Sequence, residues 1–415
     1  MTALEVAGGL TARTVPLDGA DVDLVAFAGD EGVLFERGGA GLAGRGVALR
    51  VTTAEMASAL AAIHADDEVG LPGCGPVAVG ALPFSPDPAA TLVVPHTVLG
   101  RAADGTAWST TIGPEGDAFG PRSTLEHTTP GFEAVPTRDT RPGDRFLLAA
   151  ARHHDEWCAT VVSAVEAIRA GRLRKVVLAR EVGVEANRPI LPSHVLTRLR
   201  ALYPSCMLFS VDGFVGASPE LLVSRLGRQV RSQPMAGTIP RSGDPAVDHQ
   251  LAAGLLGSEK DRHEHRLVVD AVAAALGPYC EGLDVPDEPA IVPLRNVCHL
   301  GTTLTGHLAG DGPSAWDLAA ALHPTPAVAG TPTEEALSCI ASLEGMDRGR
   351  YAGPVGWTDA RGDGEWAVGI RSAQVSGNSA RLLAGVGVVA DSDPESELAE
   401  TQLKLQALLA AVVRP

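Results

Sequence analysis

Hydrophobic and polar positions alternate along the chain in patterns that predict helices and strands. Residues 145–171 and 246–276 carry apolar side chains every three or four positions, so each predicts one long amphipathic helix. The apolar run KVVLAREVGVE (175–185) predicts a strand, and the runs at 366–377 and 381–390 predict a hairpin. Similar patterns predict helices at 54–65, 191–204 (with Ser193 as a possible cap), 313–322, 333–343 and after 391–394, and strands at 46–52, 91–99, 206–241 and 299–308.

The order of these elements indicates the fold class. Strands gather in clusters between helices, which favours an α+β fold over a repeating βαβ array. Residues 128–144 are rich in Pro, Thr and Asp, which predicts a connection between two parts of the chain. We therefore expect a boundary near residue 135, with residues 1–135 before it and residues 136–415 after it.

Composition and charge narrow the class of protein. The 415 residues are 45% hydrophobic but only 4% aromatic, so a large core has to be built from Ala, Val and Leu. The net charge of −17 argues against a protein that binds nucleic-acid phosphates, which needs a basic face. An anionic substrate would have to be held by local Lys and Arg side chains.

Cysteine usage and the hydropathy pattern indicate where the protein works. The cysteines are scattered, form no C-x-x-C pair and are expected to be reduced and mostly buried: Cys74, Cys158, Cys206, Cys280, Cys298 and Cys339. We see no signal peptide and no apolar run of about 18 residues, so we expect a cytoplasmic protein that makes no membrane contact. No coiled-coil signal appears, which favours a monomer.

The segment EKDRHEH (259–265) looks at first like a zinc site. His263, Glu264 and His265 are consecutive, so on a helix they point about 100° apart and cannot all bind one ion. Glu264 lies at the edge of the apolar stripe formed by Leu267 and Val268, where a carboxylate costs free energy unless it is paired or metal-bound. An ion pair with an arginine and a metal ligand both remain open from these residues alone.

The last predicted helix offers a second carboxylate. Asp393 is a plausible N-cap, and Pro394 suits the first helical position. Glu397, Glu400 and Lys404 share one helix face, where a Glu–Lys pair is usually a solvated ion pair. Two glutamates on separate helices are also what a hard cation such as Mg²⁺ needs, and both readings stay open.

Two further residues could take part in proton transfer. Lys175 begins the apolar run VVLA, and removal from water favours the neutral amine, the form that can act as a general base. The alternative is a lysine at a strand end that reaches out to water. Glu220, in ASPELLV, follows a proline and precedes an apolar run, so it is either an acid in a site or a polar residue at a strand edge.

Several other positions fit a site for an anion. The turn PMAGTIPR (234–241) offers small residues and backbone N–H groups, and His299 begins a predicted strand. Arg371 is predicted inside a strand among apolar neighbours, where it needs an anionic partner. Gly385 and Gly387 lie on the same side of a strand, so a ligand can approach its backbone closely.

Taken in order along the chain, these motifs resemble the chorismate-binding enzymes. The resemblance covers roughly residues 140–415, and residues 1–135 align with nothing by eye. It rests on the motifs KVVLAR, GASPELL, PMAGTIPR, EKDRHEH, HLGTTLTG, HPTPAVAGTP, YAGPVGW, GIRSA, AGVGV and ESELAETQLK.

This resemblance implies a fold and a metal. The fold expected is one large α+β domain with two packed, mainly antiparallel sheets flanked by helices, with residues 1–135 as its variable N-terminal part and residues 136–415 as its catalytic core. Glu264 and Glu400 match the family's Mg²⁺ ligands. Asp261 and Glu397, one helical turn earlier, are expected to support them directly or through water.

The resemblance also implies a substrate and a reaction. Arg371 and Tyr351 match residues that grip the enolpyruvyl carboxylate of chorismate. The positions expected to line the substrate are Gly237, Thr238, His299, Ala327, Tyr351, Arg371, Gly385, Gly387 and Lys404. Lys175 resembles the members that add water at C2, the isochorismate synthases, whereas amine-transferring members, which need a glutaminase partner, usually carry Gln there. Lys175 is then the base that activates water, and Glu220 is the acid that protonates the departing C4 hydroxyl.

One position bears on the product. Salicylate synthases tend to have Thr where this chain has Ala327, so the loop HPTPAVAGTP favours release of isochorismate. The alternatives that remain are a salicylate synthase, an amine-transferring synthase and a relative without catalytic activity. The residues do not decide whether the product serves menaquinone, a siderophore or salicylate.

Overall fold

The structure is a computed structural model that describes residues 3–17, 22–114, 143, 145–310 and 312–413. The predicted connection at 128–144 falls almost wholly outside these residues, and so does the boundary near 135. The helices are α1 (Ala3–Ala7), α2 (Leu24–Ala28), α3 (Met56–Ala62), α4 (His154–Arg169), α5 (Pro192–Leu202), α6 (Pro245–Gly257), α7 (Glu259–Leu276), α8 (Ala315–Leu322), α9 (Thr333–Leu343) and α10 (Pro394–Val412).

The strands outnumber the helices among the described residues. They are β1 (Leu10–Pro16), β2 (Val33–Arg37), β3 (Ala40–Arg45), β4 (Leu49–Thr52), β5 (His64–Asp67), β6 (Val77–Ala81), β7 (Thr91–Val94), β8 (Thr97–Arg101), β9 (Ala107–Pro114), β10 (Phe146–Ala150), β11 (Lys175–Ala186), β12 (Met207–Val211), β13 (Phe214–Ser218), β14 (Leu221–Leu226), β15 (Gln229–Gln233), β16 (Met235–Pro240), β17 (Cys280–Asp284), β18 (Ala290–Pro293), β19 (Val297–Gly301), β20 (Leu304–Leu308), β21 (Gly330–Thr331), β22 (Pro354–Asp359), β23 (Gly364–Val368), β24 (Ser372–Ser376) and β25 (Ser379–Val388).

These strands form two large sheets and one small sheet. The first sheet has 13 strands, in the order β10-β11-β25-β24-β13-β12-β2-β3-β8-β9-β1-β5, with β21 paired to β11. The second sheet has nine strands, in the order β17-β20-β15-β14-β23-β22-β6-β7-β4, and the small sheet is β16-β19-β18. Among the described pairs only β1 and β5 are parallel. Strands from residues 10–114 thus extend the same sheets as strands from later residues.

Apolar side chains from both large sheets form a common core. Phe35 and Phe209 of the first sheet and Val79 and Trp357 of the second belong to one buried cluster. Helices cover the other faces: α10 packs on β25 and α4, and α7 packs on β16. The predicted class, an α+β fold with two mainly antiparallel sheets flanked by helices, is confirmed. Among the described residues, no helix combines the length and apolar character needed to cross a bilayer.

Two long predicted helices are wrong in their bounds. Residues 145–171 begin with an edge strand, β10, and α4 starts only at His154. Residues 246–276 are two helices, because Ser258 leaves the helical conformation and caps α7 by accepting from the backbone N–H of Asp261. Helical periodicity continues across such a break, so apolar spacing alone does not reveal it.

Several predicted strands are also divided. Residues 91–99 form β7 and β8 in different sheets, and residues 299–308 fall within the separate strands β19 and β20. The predicted cap Ser193 lies inside α5, where its hydroxyl donates to Asp30. Helix α9 matches its prediction, and Asp393 caps α10 as predicted by accepting from the backbone N–H of Ser396.

Candidate active site

A cavity of about 120 Å³ opens between the first sheet, the small sheet and two helices. Strands β11 and β25 form one wall, β16 and β19 form a second, and α7 and α10 supply the third. Each residue singled out from the sequence lines it: Lys175, Glu220, Gly237, Thr238, Asp261, Glu264, His299, Ala327, Tyr351, Arg371, Gly385, Gly387, Glu397, Glu400 and Lys404. Residues up to 229 positions apart in sequence (Lys175 to Lys404) therefore share one space.

Lys175 and Glu264 form an ion pair within this cavity. The Lys175 Nζ lies 2.8 Å from Glu264 Oε1, and the lysine side chain is 2% exposed. Burial raises the pKa of Glu264, but the nearby Lys175 ammonium outweighs it and holds that pKa below its ordinary value. A Cβ atom at Gly387 would lie 2.7 Å from Glu264 Oε1 and 2.9 Å from Lys175 Cε, so glycine leaves room for the pair.

A second ion pair lies on α10. The Lys404 Nζ lies 2.7 Å from Glu400 Oε1 and also donates to the backbone oxygen of Gly385 at 2.9 Å. Glu397 is buried one turn earlier, and burial, assisted by the charges of Glu400 and Glu264, raises its pKa to about 7. On α7, Asp261 accepts from the Ser258 hydroxyl at 2.5 Å.

Glu220 occupies a different kind of environment. It lies just before β14, is 4% exposed and keeps its backbone N–H bonded to the Ser218 hydroxyl. Burial raises the pKa of its carboxyl to about 7, against the opposing effects of the Met235 N–H and the cationic side chains nearby, Lys175 first among them. A carboxyl with such a pKa can hold a proton near neutral pH and release it to a substrate.

Arg371 and His299 are held together on the wall formed by the small sheet. Arg371 does not lie within a strand as predicted: it sits between β23 and β24 at φ +52°, and its guanidinium donates to His299 Nε2 at 3.3 Å. His299 Nδ1 lies 3.2 Å from the backbone oxygen of Gly237, an acceptor, so Nδ1 carries the proton. The Thr238 hydroxyl lies 3.1 Å from the same nitrogen. Burial, followed by the charge of Arg371, lowers the pKa of His299 to about 3, so its ring is neutral.

The structure adds cavity residues that the sequence did not single out. Arg348 and Lys260 both line the cavity. Lys260 stands within the quoted motif EKDRHEH, and Arg348 stands three residues before Tyr351, in the segment between α9 and β22. His265 does not line the cavity; it is buried and bonds to the Thr302 hydroxyl through Nε2 at 2.7 Å.

The arrangement can perform three chemical tasks. Lys175 and Glu220, whose side chains are almost fully buried at the cavity wall, can exchange protons with a ligand bound there. Arg371, Lys404 and the turn at Gly237 can bind carboxylates. Among the described residues, no three His, Cys, Asp or Glu side chains converge to enclose a metal. A cation here would therefore take its remaining ligands from water or from the bound molecule, as Mg²⁺ commonly does.

The chain is similar in sequence and in structure to proteins of a known family. Residues 47–413 match the family model described as chorismate binding enzyme. The chain is 40% identical over 348 residues to the isochorismate synthase DhbC of Bacillus subtilis. The aligned residues cover 81% of this chain and 81% of that protein. It is 40% identical over 400 residues to the putative isochorismate synthase MenF of Mycobacterium tuberculosis, covering 93% and 95%. The solved structure of MenF, the menaquinone-specific isochorismate synthase of Escherichia coli, matches with a TM-score of 0.80 and 25% identity over 100% of both chains.

Proposed function

Since the chain belongs to the chorismate-binding enzymes, we propose that it is an isochorismate synthase, an isomerase that adds water at C2 of chorismate and releases the C4 hydroxyl. The observation that carries this proposal is that one cavity holds both a buried lysine, Lys175, and a buried glutamate, Glu220. The pKa of Glu220, raised to about 7, lets this carboxyl keep its proton near neutral pH. The substrate is chorismate, the nucleophile is water, and neither ammonia nor a glutaminase subunit takes part.

Lys175 is the general base of the proposed reaction. It lies at the first position of β11, where its side chain is almost completely removed from solvent but reaches the cavity. The neutral amine takes a proton from the water molecule that attacks C2. Because the form paired with Glu264 is the ammonium, Lys175 must first release a proton to solvent and leave this ion pair, and both changes belong to the mechanism.

Glu220 is the general acid. Its carboxyl is protonated for a large part of the time at neutral pH because burial disfavours the charged form. It gives this proton to the C4 hydroxyl as the C–O bond breaks, so the group leaves as water. The double bonds of the ring shift in the same direction, and isochorismate results.

The acidic side chains of α7 and α10 fit a bound Mg²⁺. Glu264 and Glu400 each present a carboxylate to the cavity from a separate helix, and buried Glu397 adds a third acidic group close to both. Such crowding of carboxylates is relieved by a divalent cation. Glu264 and Glu400 would hold the ion, and Asp261 and Glu397 would support them. When bound, Mg²⁺ would supply positive charge to hold and polarise a substrate carboxylate.

The remaining lining residues orient the substrate. Arg371 and Tyr351 bind the enolpyruvyl carboxylate in this proposal, and the half-buried guanidinium finds there an anionic partner. The further residues assigned to substrate binding are Gly237, Thr238, His299, Ala327, Gly385, Gly387 and Lys404. The small side chain of Ala327 favours release of isochorismate over onward loss of pyruvate.

The same proposal covers the setting of the reaction. All six cysteines are free, which fits a reducing compartment, and we place the reaction in the cytoplasm. Each residue given a role lies in one cavity of one chain, so a monomer is sufficient for activity.

Product analysis tests the proposed function. Purified protein is incubated with chorismate and Mg²⁺ without ammonia. The products are separated by chromatography, and their masses are measured by mass spectrometry. We expect an isomer of unchanged mass, an equilibrium short of completion and no product in EDTA. Pyruvate with salicylate, formed at the rate of turnover, would identify a lyase instead. Turnover that begins only when ammonia is added would contradict the role of Lys175.

A further inference from the structure

A second buried ion pair, Glu344 with Arg348, lies against the wall of the cavity. The Arg348 Nη2 lies 2.5 Å from Glu344 Oε1, and its Nε donates to Oε2 at 2.9 Å, so the two side chains meet as a fork. Both are 1–2% exposed. Glu344 follows the last residue of α9, and Arg348 comes four residues later, in the segment that leads to β22.

This pair is bonded to the backbone of two segments, the strand β11 just after Lys175 and the loop at Ala327. The backbone N–H of Ala179 donates to Glu344 Oε1 at 2.7 Å. Arg348 donates to the backbone oxygens of Val177 and Val328, at 2.8 Å each. Val177 lies two residues after Lys175 on β11, and Val328 directly follows Ala327. The pair therefore joins the strand that carries the base to the loop that carries Ala327.

Arg348 lines the cavity, but its donors are almost fully used. The guanidinium has five N–H groups, and the bonds to Glu344, Val177 and Val328 occupy four of them. Its flat face also lies over the Phe84 ring, with 4.3 Å between Cζ and the ring centroid. A side chain committed in this way holds neighbouring backbone in place and has little left to offer a substrate.

We propose that Glu344 and Arg348 form a positioning device that sets Lys175 against the loop at Ala327. Backbone bonds already align this loop with β11, since Val177 donates to the oxygen of Ala329 and Lys175 is paired with Thr331. The Glu344–Arg348 pair links the same two segments on the side that faces the cavity. This inference rests on the proposed role of Lys175 as the base.

A stabilising role alone would not require these contacts. Buried ion pairs are often no more stabilising than apolar residues of the same volume. Small errors in the placement of a reacting group, in contrast, cause large losses of rate. The fork geometry, with one guanidinium bonded to a carboxylate and two carbonyl groups, is what a precise spacing of two segments needs, and lysine cannot reproduce it.

The test compares Arg348→Lys with a matched control, Arg381→Lys. Arg381 also pairs with a glutamate of β11, at 2.6 Å from Glu181, but its side chain is 33% exposed and it does not line the cavity. We expect Arg348→Lys to lower kcat by about tenfold or more with KM for chorismate nearly unchanged. Arg381→Lys should keep both constants. A lower melting temperature with unchanged kcat for the folded Arg348→Lys protein would overturn the inference.

A double-mutant cycle examines whether Arg348 acts through Lys175. If it does, Arg348→Lys should have almost no effect on the residual rate of a Lys175→Met protein. Two full, additive losses would contradict the inference. Glu344→Gln serves in place of Arg348→Lys if the latter does not fold, with the same expected fall in kcat. A wild-type protein that makes no isochorismate would refute the proposed function itself. If the wild type is active and the Arg348→Lys variant has the same kcat, only this inference is refuted.

Discussion

Two kinds of buried ion pair stand side by side in this molecule. In the Glu344–Arg348 pair both side chains are 1–2% exposed, and the carboxylate and the guanidinium are also bonded to backbone. In the cavity, Glu264 is 14% exposed and Glu400 is 28% exposed, and each contacts a single lysine ammonium through one oxygen. A pair of the first kind is complete, because both carboxylate oxygens and four of the five guanidinium N–H groups have partners. It therefore holds the surrounding backbone in place. A pair of the second kind keeps carboxylate oxygens accessible, so it can exchange its partner for a cation or release a base.

The largest expected effect concerns the accessible kind. Replacing Lys175 by Met should lower turnover by roughly 10²–10⁴-fold, because the proton of the attacking water loses its acceptor. Stability should fall by less than it does when Arg348 is replaced by Met, because Glu264 is 14% exposed whereas Glu344 is 1% exposed. The rate of isochorismate formation and a denaturant titration measure the two quantities. Full turnover in the variant would contradict the assignment of Lys175 as the general base.

Loss of the complete pair, Glu344 with Arg348, should lower the free energy of unfolding more than loss of the Lys175–Glu264 pair does. Replacing Arg348 by Met leaves Glu344 buried without its partner, which costs about 3–5 kcal/mol of unfolding free energy. A denaturant titration beside that of Lys175→Met gives a direct comparison. If the two variants were equally stable, the distinction between complete and accessible pairs would be wrong.

Metal affinity should depend on the accessible carboxylates. Glu400→Gln and Glu264→Gln should each weaken Mg²⁺ binding by about 10–100-fold, measured by calorimetry in the absence of chorismate. Glu395→Gln is the matched control, because Glu395 lies on the same helix but outside the cavity. Unaltered Mg²⁺ affinity in both cavity variants would contradict the assigned ligands.

The smallest expected effect is a pH dependence that comes from Glu220. Because the protonated form acts as the acid and burial raises its pKa to about 7, kcat should fall above pH 7, by up to about tenfold per pH unit. Glu220→Gln should lower kcat and remove this dependence.

The same carboxyl affects stability with a defined sign. Its pKa is higher in the folded protein, at about 7, than the ordinary value of 4.5, so its contribution is full below pH 4.5 and is lost as the pH rises through 7. A stability curve for Glu220→Gln that kept the full wild-type slope over this range would count against the assignment.

Elements with their own local signals could be predicted from the sequence. Helix α9 and the Asp393 cap of α10 were predicted correctly, because apolar spacing and a capping side chain act within a few residues. The strand β10 was mistaken for helix, since its apolar residues adjoin the stripe of α4 and its pairing with β11 involves residues more than 30 positions away. The position of Arg371 at φ +52° between two strands likewise has no local signal.

The candidate site divides in a similar way. Motif order identified residues that all line one cavity, but it gave no indication of which of them touch. The pairing of Lys175 with Glu264 and of Arg371 with His299 depends on how the small sheet and α7 pack against the first sheet. Arg348 escaped notice because two of its four bonds go to backbone oxygens, which the sequence does not distinguish.

The lysines of the cavity have a consequence for the first encounter with substrate. A chain of net charge −17 with a carboxylate-lined entrance would repel a molecule that carries two carboxylates. Lys175 and Lys404 act as internal counter-ions that cancel this charge at short range. Glu264 and Glu400 therefore meet an incoming dicarboxylate already paired with a cationic side chain, although the chain as a whole is strongly negative.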